Sequence, residues 1–164
     1  MIKNVSGDIL LSGARALAHG IGPNDHFDGG LALALREQYP AMVRDFRHFC
    51  QTQHPKPGSC WGWLSPAGVR IYSLITQEAA EGGGNRGHAH PGKATLPNVN
   101  HALRALHAEL AKEKVASVAL PRLAAGVGGL DWAAVEPLVR EHLGGKGLQV
   151  FVYESYVKGQ QAQD

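Results

Sequence analysis

Val118-Ala119-Leu120-Pro121-Arg122-Leu123-Ala124-Ala125-Gly126-Val127-Gly128-Gly129-Leu130-Asp131-Trp132 decides the fold. An apolar strand-like run at 118–123 passes through a glycine-rich turn into an amphipathic helix-like segment at 132–143. Glycine lets the backbone turn its N–H groups outward, and a helix start adds unpaired donors and the positive end of a dipole. A second junction of this kind, Phe27-Asp28-Gly29-Gly30-Leu31, precedes a helical pattern at 31–35. Two such turns in one small domain can grip neighbouring phosphates, which points to a diphosphate ligand. No complete G-x-G-x-x-G opens either helix and no acidic residue is suitably placed after one, which argues against a nicotinamide-dependent dehydrogenase.

Working outward, residues 2–5 and 16–21 read as strands, the first ending at Gly7-Asp8. Leu31, Leu35, Met42, Val43 and Phe46 recur at helical spacing, with Pro40 splitting the stretch into two helices. Residues 51–59 are expected to form a loop, and 60–64 and 69–75 a hairpin around Pro66-Ala67-Gly68. The glycine-rich segment 82–92 reads as a surface loop. Val99, Leu103, Leu106 and Leu110 mark a helix, 115–120 a buried strand and 148–153 a final strand. Asp131 is the expected N-cap of the helix at 132–143, and Pro137 predicts a tight first turn there. This alternation predicts an α/β fold, a largely parallel sheet covered on both faces, with ligands beyond the carboxyl ends of its strands. One domain is expected over 1–157, followed by a frayed tail at 158–164.

The 164 residues are 44% apolar and carry a formal net charge of +2, enough for one core and without the cationic field that announces a nucleic-acid binder. No run is long enough to cross a bilayer, and the start Met1-Ile2-Lys3-Asn4 lacks an export signal. A cytoplasmic location with Cys50 and Cys60 reduced is therefore expected.

Gly7-Asp8-Ile9-Leu10, His19 leading to Gly29-Gly30-Leu31, Leu120-Pro121-Arg122-Leu123, the second glycine loop and Trp132 together resemble the macrodomain. The resemblance runs from Ile2 to Tyr153. It is closest to the branch of the poly(ADP-ribose)-stimulated chromatin remodeller, the terminal ADP-ribose protein glycohydrolase and the bacterial DNA ADP-ribosyl glycohydrolase antitoxins. It implies a three-layer α/β/α sandwich with a mixed, largely parallel six-stranded sheet and a cleft for ADP-ribose. By position, Asp8 would accept from the adenine amino group beside the Ile9 backbone, with Tyr153 stacking nearby. Gly29, Gly30 and Leu31 would form the first phosphate loop, and Ala125, Gly126, Val127, Gly128 and Gly129 the second. His19 and Thr76 complete the ligand-binding set. The implied partners are ADP-ribose and ADP-ribosylated protein or DNA; a monomer with no membrane partner, no cofactor and no metal is the expectation from the sequence itself.

Gln77 stands where the glycohydrolases of the branch carry a lysine and the remodeller a glutamine. A carboxamide is neither base nor nucleophile at neutral pH, so covalent lysine chemistry is not expected, whereas simple hydrolysis remains open. Gln77, holding a water or a ribose hydroxyl, and Asp28, as a general base, are the candidate catalytic residues. The leading reading is an ADP-ribosyl hydrolase acting on carboxylate esters of protein or on DNA, thymidine-linked adducts included. The competing reading is a non-catalytic ADP-ribose reader. His88 and His90 form an H-x-H without a third ligand at metal-site spacing, and Lys93 reads as a solvated charge. Trp61, Trp63 and Trp132 are expected to serve packing.

Overall fold

The structure, a computed structural model, describes residues 1–79, 92–126 and 128–162. Alternation along the strands builds its layers. In β2 (Ala16–Ile21), Ala16 and Ala18 join one core while Leu17 and Ile21 join the other. In β4 (Arg70–Ile75), Tyr72 and Leu74 divide from Ile71 and Ile75 in the same way. A strand apolar on both faces is stable only between two covering layers, which the helices supply. α1 (Gly30–Gln38) and α2 (Pro40–Gln53) cover one face, with Leu35, Met42, Val43 and Phe46 buried. α3 (Leu96–Lys112) and α4 (Trp132–Leu143) cover the other with Val99, Leu103, Leu106, Val135 and Val139.

With β1 (Ile2–Gly7), β3 (Cys60–Leu64), β5 (Ser117–Pro121) and β6 (Gln149–Tyr156), the strands form a six-stranded sheet in the order β1-β6-β5-β2-β4-β3. All pairings are parallel except the β3–β4 hairpin. The expected α/β sandwich is therefore found, as are the helix break at Pro40 and the Asp131 cap, whose carboxylate accepts from Ala133 N at 3.1 Å. The aromatic pairs also follow expectation: Trp61 stacks on Phe49 and Trp63 packs edge-on against Tyr39.

Three boundaries differ. Residues 51–53 extend α2 instead of opening a loop; His54 N still donates to the Cys50 carbonyl at 3.1 Å, and its left-handed backbone (φ 47°) then turns the chain out of the helix. Pro137 lies inside a continuous α4 rather than forcing a tight first turn. It lacks only the N–H that would have bonded the Ala133 carbonyl, a defect that the buried Val135 and Val139 outweigh. Finally, residues 158–162, expected as a tail, carry hydrogen bonds to the end of β1. Val157 N donates to the Gly7 carbonyl at 2.9 Å, Asp8 N to the Gln160 carbonyl at 2.7 Å, and Gly159 N to Asp8 Oδ2 at 2.9 Å. Residues 163–164 lie outside the described residues.

Candidate functional site

Beyond β2 the chain runs through α1 and α2 toward β3 and β4, whereas beyond β5 it runs through α4 to β6. Adjacent strands whose connections diverge leave a crevice at their carboxyl ends. A cleft of about 330 Å³ occupies that place.

The first wall is the turn from Gly22 to Leu31. Asp25 N donates to the Gly22 carbonyl at 3.3 Å, and Asp25 Oδ1 accepts from Phe27 N at 2.8 Å, an Asx turn. Phe27 adopts a left-handed φ of 55° that a bulky residue rarely tolerates. It is held there by complete burial, its ring edge-on to Phe46 at 5.4 Å and to His19 at 5.8 Å. This plug fixes one end of the loop, so that Asp28, Gly29 and Gly30 stay exposed and line the cleft. Gly29 is the N-cap of α1 and no side chain caps it. The first amides of the helix lack intrahelical acceptors, and Gly30, Leu31 and Ala32 all line the cleft.

The second wall runs from Pro121 to Gly128. Ala125 N bonds the Arg122 carbonyl, Gly129 N the Gly126 carbonyl and Leu130 N the Ala124 carbonyl, a succession of tight turns. A Cβ at Gly128 would stand 2.8 Å from the Ala124 carbonyl oxygen and 3.0 Å from the Ala94 side chain, so only glycine fits. Gly128→Ala is expected to cost about 1–3 kcal/mol, the usual penalty of overpacking against backbone, read as a lower urea midpoint. An unchanged midpoint would show that the loop can shift freely. Val127 lies outside the described residues, as do His88, His90 and all of the 82–92 loop except Gly92.

Gln77 lies at the third side. It is buried, forms an isolated bridge with Ala94, and donates its side-chain nitrogen to the Gly92 carbonyl at 3.0 Å. That bond uses one of the two amide hydrogens and fixes the carboxamide, whose oxygen is an acceptor that Gln77 can offer a ligand. Lys93 is exposed and contributes its carbonyl to Glu78 N, not a charge to the cleft.

His19 closes the floor. It pairs in register with Ser73 on β4, and its Nε2 lies 2.8 Å from Ser73 Oγ. Burial holds the imidazole down at about 4, so the ring is neutral at physiological pH. Burial also raises the Asp25 carboxyl above the usual carboxylate range; the neighbouring Asp28 adds to the rise, while the Phe27 amide and His26 oppose it.

Of the residues singled out in the sequence, His19, Asp28, Gly29, Gly30, Leu31, Gln77, Gly126 and Gly128 line the cleft. Ala125 and Gly129 belong to the second loop without lining it. Thr76 is fully buried, its hydroxyl directed at Gly20 and without a hydrogen-bond partner among the described residues. Asp8 and Ile9 stand at the end of β1. Asp8 Oδ1 accepts from Leu10 N at 3.0 Å and Oδ2 from Gly159 N, and little of the residue is exposed. Tyr153 is buried against the α1–α2 side and borders a separate hollow of about 270 Å³ shared with Val5, Phe151 and Ala162. The sequence motifs omit Asp25 and contain Phe27 and Arg122 without giving them a role. The D-x-F spacing of an Asx turn was the one signal available for the first two.

A three-layer sandwich with two glycine turns facing each other across a switch-point cleft is the architecture of a macrodomain. No family model matches the chain. It is 26% identical over 159 residues to a DNA ADP-ribosyl glycohydrolase of Thermus aquaticus, covering 94% of this chain and 41% of that protein. It is 25% identical over 153 residues to the human ADP-ribose glycohydrolase OARD1, covering 93% and 90%. Among solved structures, the macrodomain of Thermus aquaticus DarG superposes with a TM-score of 0.79 at 25% identity, over 94% of this chain and 98% of that one. Thermosipho africanus DarTG in complex with ADP-ribose superposes at 0.78 and 19% identity, over 98% and 42%. The chain has the fold of a macrodomain and is similar in sequence to the DNA ADP-ribosyl glycohydrolases and OARD1. It spans about two-fifths of the length of the Thermus aquaticus glycohydrolase.

Proposed function

We propose that this macrodomain binds ADP-ribose and hydrolyses the bond between its distal ribose and a modified macromolecule, a protein carboxylate or a DNA base. The observation that carries this reading is the pair of glycine turns on opposite walls of one cleft, with Asp25, Asp28 and Gln77 on the same lining. The relatives' names, DNA ADP-ribosyl glycohydrolase and ADP-ribose glycohydrolase, support the reaction class.

In this reading the diphosphate rests on main-chain donors of the turns around Gly29–Gly30 and Gly126–Gly128. Gln77, Gly92 and Ala94 crowd the β4 side of the cleft, so the adenosine half extends along the carboxyl ends of β5, β6 and β1. Three strand spacings, about 14 Å, separate β2 from β1, a span that suits an adenosine diphosphate. Asp8, a carboxylate at the end of β1, is the acceptor an adenine amino group meets there, with Ile9 and Tyr153 beside it. His19 contributes a neutral wall, and Thr76 acts by packing.

The distal ribose faces the carboxylates and Gln77. Cleavage breaks the bond from C1″ to the acceptor, which leaves with the electron pair, while water adds to C1″ and gives up a proton. Gln77 Oε1 positions the water or a ribose hydroxyl, and a carboxylate takes the proton. Burial raises the Asp25 carboxyl and suits it to the role of base, with Asp28 beside it at the rim. The raised carboxyl sets the pH dependence: the base works deprotonated, so turnover falls on the acid side at a pH above the ordinary carboxylate range. We also take the protein to act as a monomer in the cytoplasm.

The test is release of ADP-ribose from carboxylate-modified protein and from ADP-ribosylated single-stranded DNA, with binding of free ADP-ribose followed by calorimetry. Asp25→Asn is expected to lower turnover about 100-fold, the usual contribution of a general base, with little change in ADP-ribose affinity. Gln77→Ala is expected to lower it about tenfold through lost positioning. The tethered carboxamide of Gln77 also favours a second reading, a binding module without turnover. Tight binding with no release from either substrate would decide for it.

A further inference from the structure

We propose that the segment from Val157 to Ala162 is a strap that competes with the adenine end of the ligand for Asp8. The proposal rests on the ADP-ribose reading above and adds a control element to that site.

Both oxygens of the Asp8 carboxylate are taken from within the chain, Oδ1 by Leu10 N and Oδ2 by Gly159 N. The first bond is local and caps the short 3-10 turn at Ile9–Leu11. The second comes from 151 residues away and does for Asp8 what an adenine amino group would do: it presents one N–H donor to Oδ2. The Asp8 amide is engaged as well, donating to the Gln160 carbonyl at 2.7 Å. With the strap in place, only 6% of Asp8 is exposed.

The seat is shaped for this segment. Gly7 takes a φ of 148°, and a Cβ there would meet the Gln160 carbonyl oxygen at 2.8 Å and Ala162 N at 2.9 Å, so a side chain at this position would lift the strap off. Gly159 at φ 78° makes the turn that aims its amide, closed by Gln160 N on the Val157 carbonyl. Ala162 anchors the far end against the α1–α2 core. The strap nevertheless holds its place with a few hydrogen bonds and one small apolar contact, so a ligand that offers Asp8 a better donor can displace it. The apparent affinity for adenine-bearing ligands is then reduced by the fraction of chains in which the strap is open.

The experiment compares the unaltered chain with Gly159→Pro, which removes the donor and cannot adopt the turn, and with Ala162→Glu, which charges the anchor. Calorimetry with ADP-ribose is expected to give about tenfold tighter binding in both variants, as for a site open one-tenth of the time. Ribose 5-phosphate, which has a phosphate and a ribose but no adenine, is expected to bind all three proteins alike. In the unaltered chain, saturation with ADP-ribose is expected to speed hydrogen exchange at the Gly159 amide. Unchanged or weaker ADP-ribose binding in two folded variants would overturn the proposal and leave the ADP-ribose reading standing. A matching gain for ribose 5-phosphate would overturn it too. Absence of ADP-ribose binding by all three proteins would bring down the reading itself.

Discussion

Phe27→Ala is expected to destabilise the protein by about 3–5 kcal/mol, the range for removing a fully buried phenylalanine. Domains of this size have about 5–15 kcal/mol in all, so the variant should stand close to the edge of folding. The large effect has two sources. The ring fills the space between His19 and Phe46, which is left as a cavity because neither neighbour belongs to a loop that can collapse inward. The left-handed backbone at Phe27 also loses the burial that offsets its strain. The first glycine turn starts one residue later, so binding should suffer along with stability. Urea unfolding should show a lower midpoint, and calorimetry about a tenfold or greater loss of ADP-ribose affinity where the fold is retained. A variant with an unaltered midpoint would mean that the plug is not what holds the loop.

Acidification provides the second large effect, through His19. Its folded value of about 4 lies below the 6.5 of the unfolded chain. Above 6.5 the ring is neutral in both states and the native state keeps its full stability. As the pH falls from 6.5 to 4, the unfolded chain takes up a proton that the native chain refuses, and stability declines. The loss levels off below 4 at about 3 kcal/mol, from 1.36 kcal/mol per unit. His142, also held down by burial, acts in the same direction, and the raised Asp25 acts against it. His19→Gln removes the largest contribution, so urea unfolding at pH 7.5 and at pH 4 should differ by about 3 kcal/mol less in the variant than in the unaltered protein. Equal pH dependence in the two proteins would mean that His19 is protonated without penalty, against its burial beside Ser73.

What could be read in the chain was whatever is written locally. Strand periods at 16–21 and 70–75, the break at Pro40 and the cap at Asp131 are each decided within a few residues, and the structure follows them. The two glycine turns belong to the same class, and Gly29, Gly30, Gly126 and Gly128 line one cleft. The parts that were not legible depend on partners distant in sequence. Gln77 looks like a free side chain until its nitrogen is seen on the Gly92 carbonyl, 15 residues on. Asp8 looks like an open acceptor until Gly159 is seen on it. Thr76 follows the last residue of β4, and its inward orientation comes from a backbone that bonds the Ile21 carbonyl across to β2. Phe27 was hidden for another reason: no sequence pattern announces a bulky residue in a left-handed conformation.

The two walls of the cleft grow from different cores. Phe27 roots the first turn among the side chains between the sheet and α1–α2, whereas Leu123, Ala124 and Leu130 root the second between the sheet and α3–α4. The site thus resembles a vice whose jaws are bolted to separate foundations, with the sheet as the bed between them. A guest gripped by both jaws becomes a brace joining the two halves, and its binding energy is shared by both layers. Slow amide exchange should therefore spread to both helical layers when the cleft is filled, not just to the residues that touch the guest.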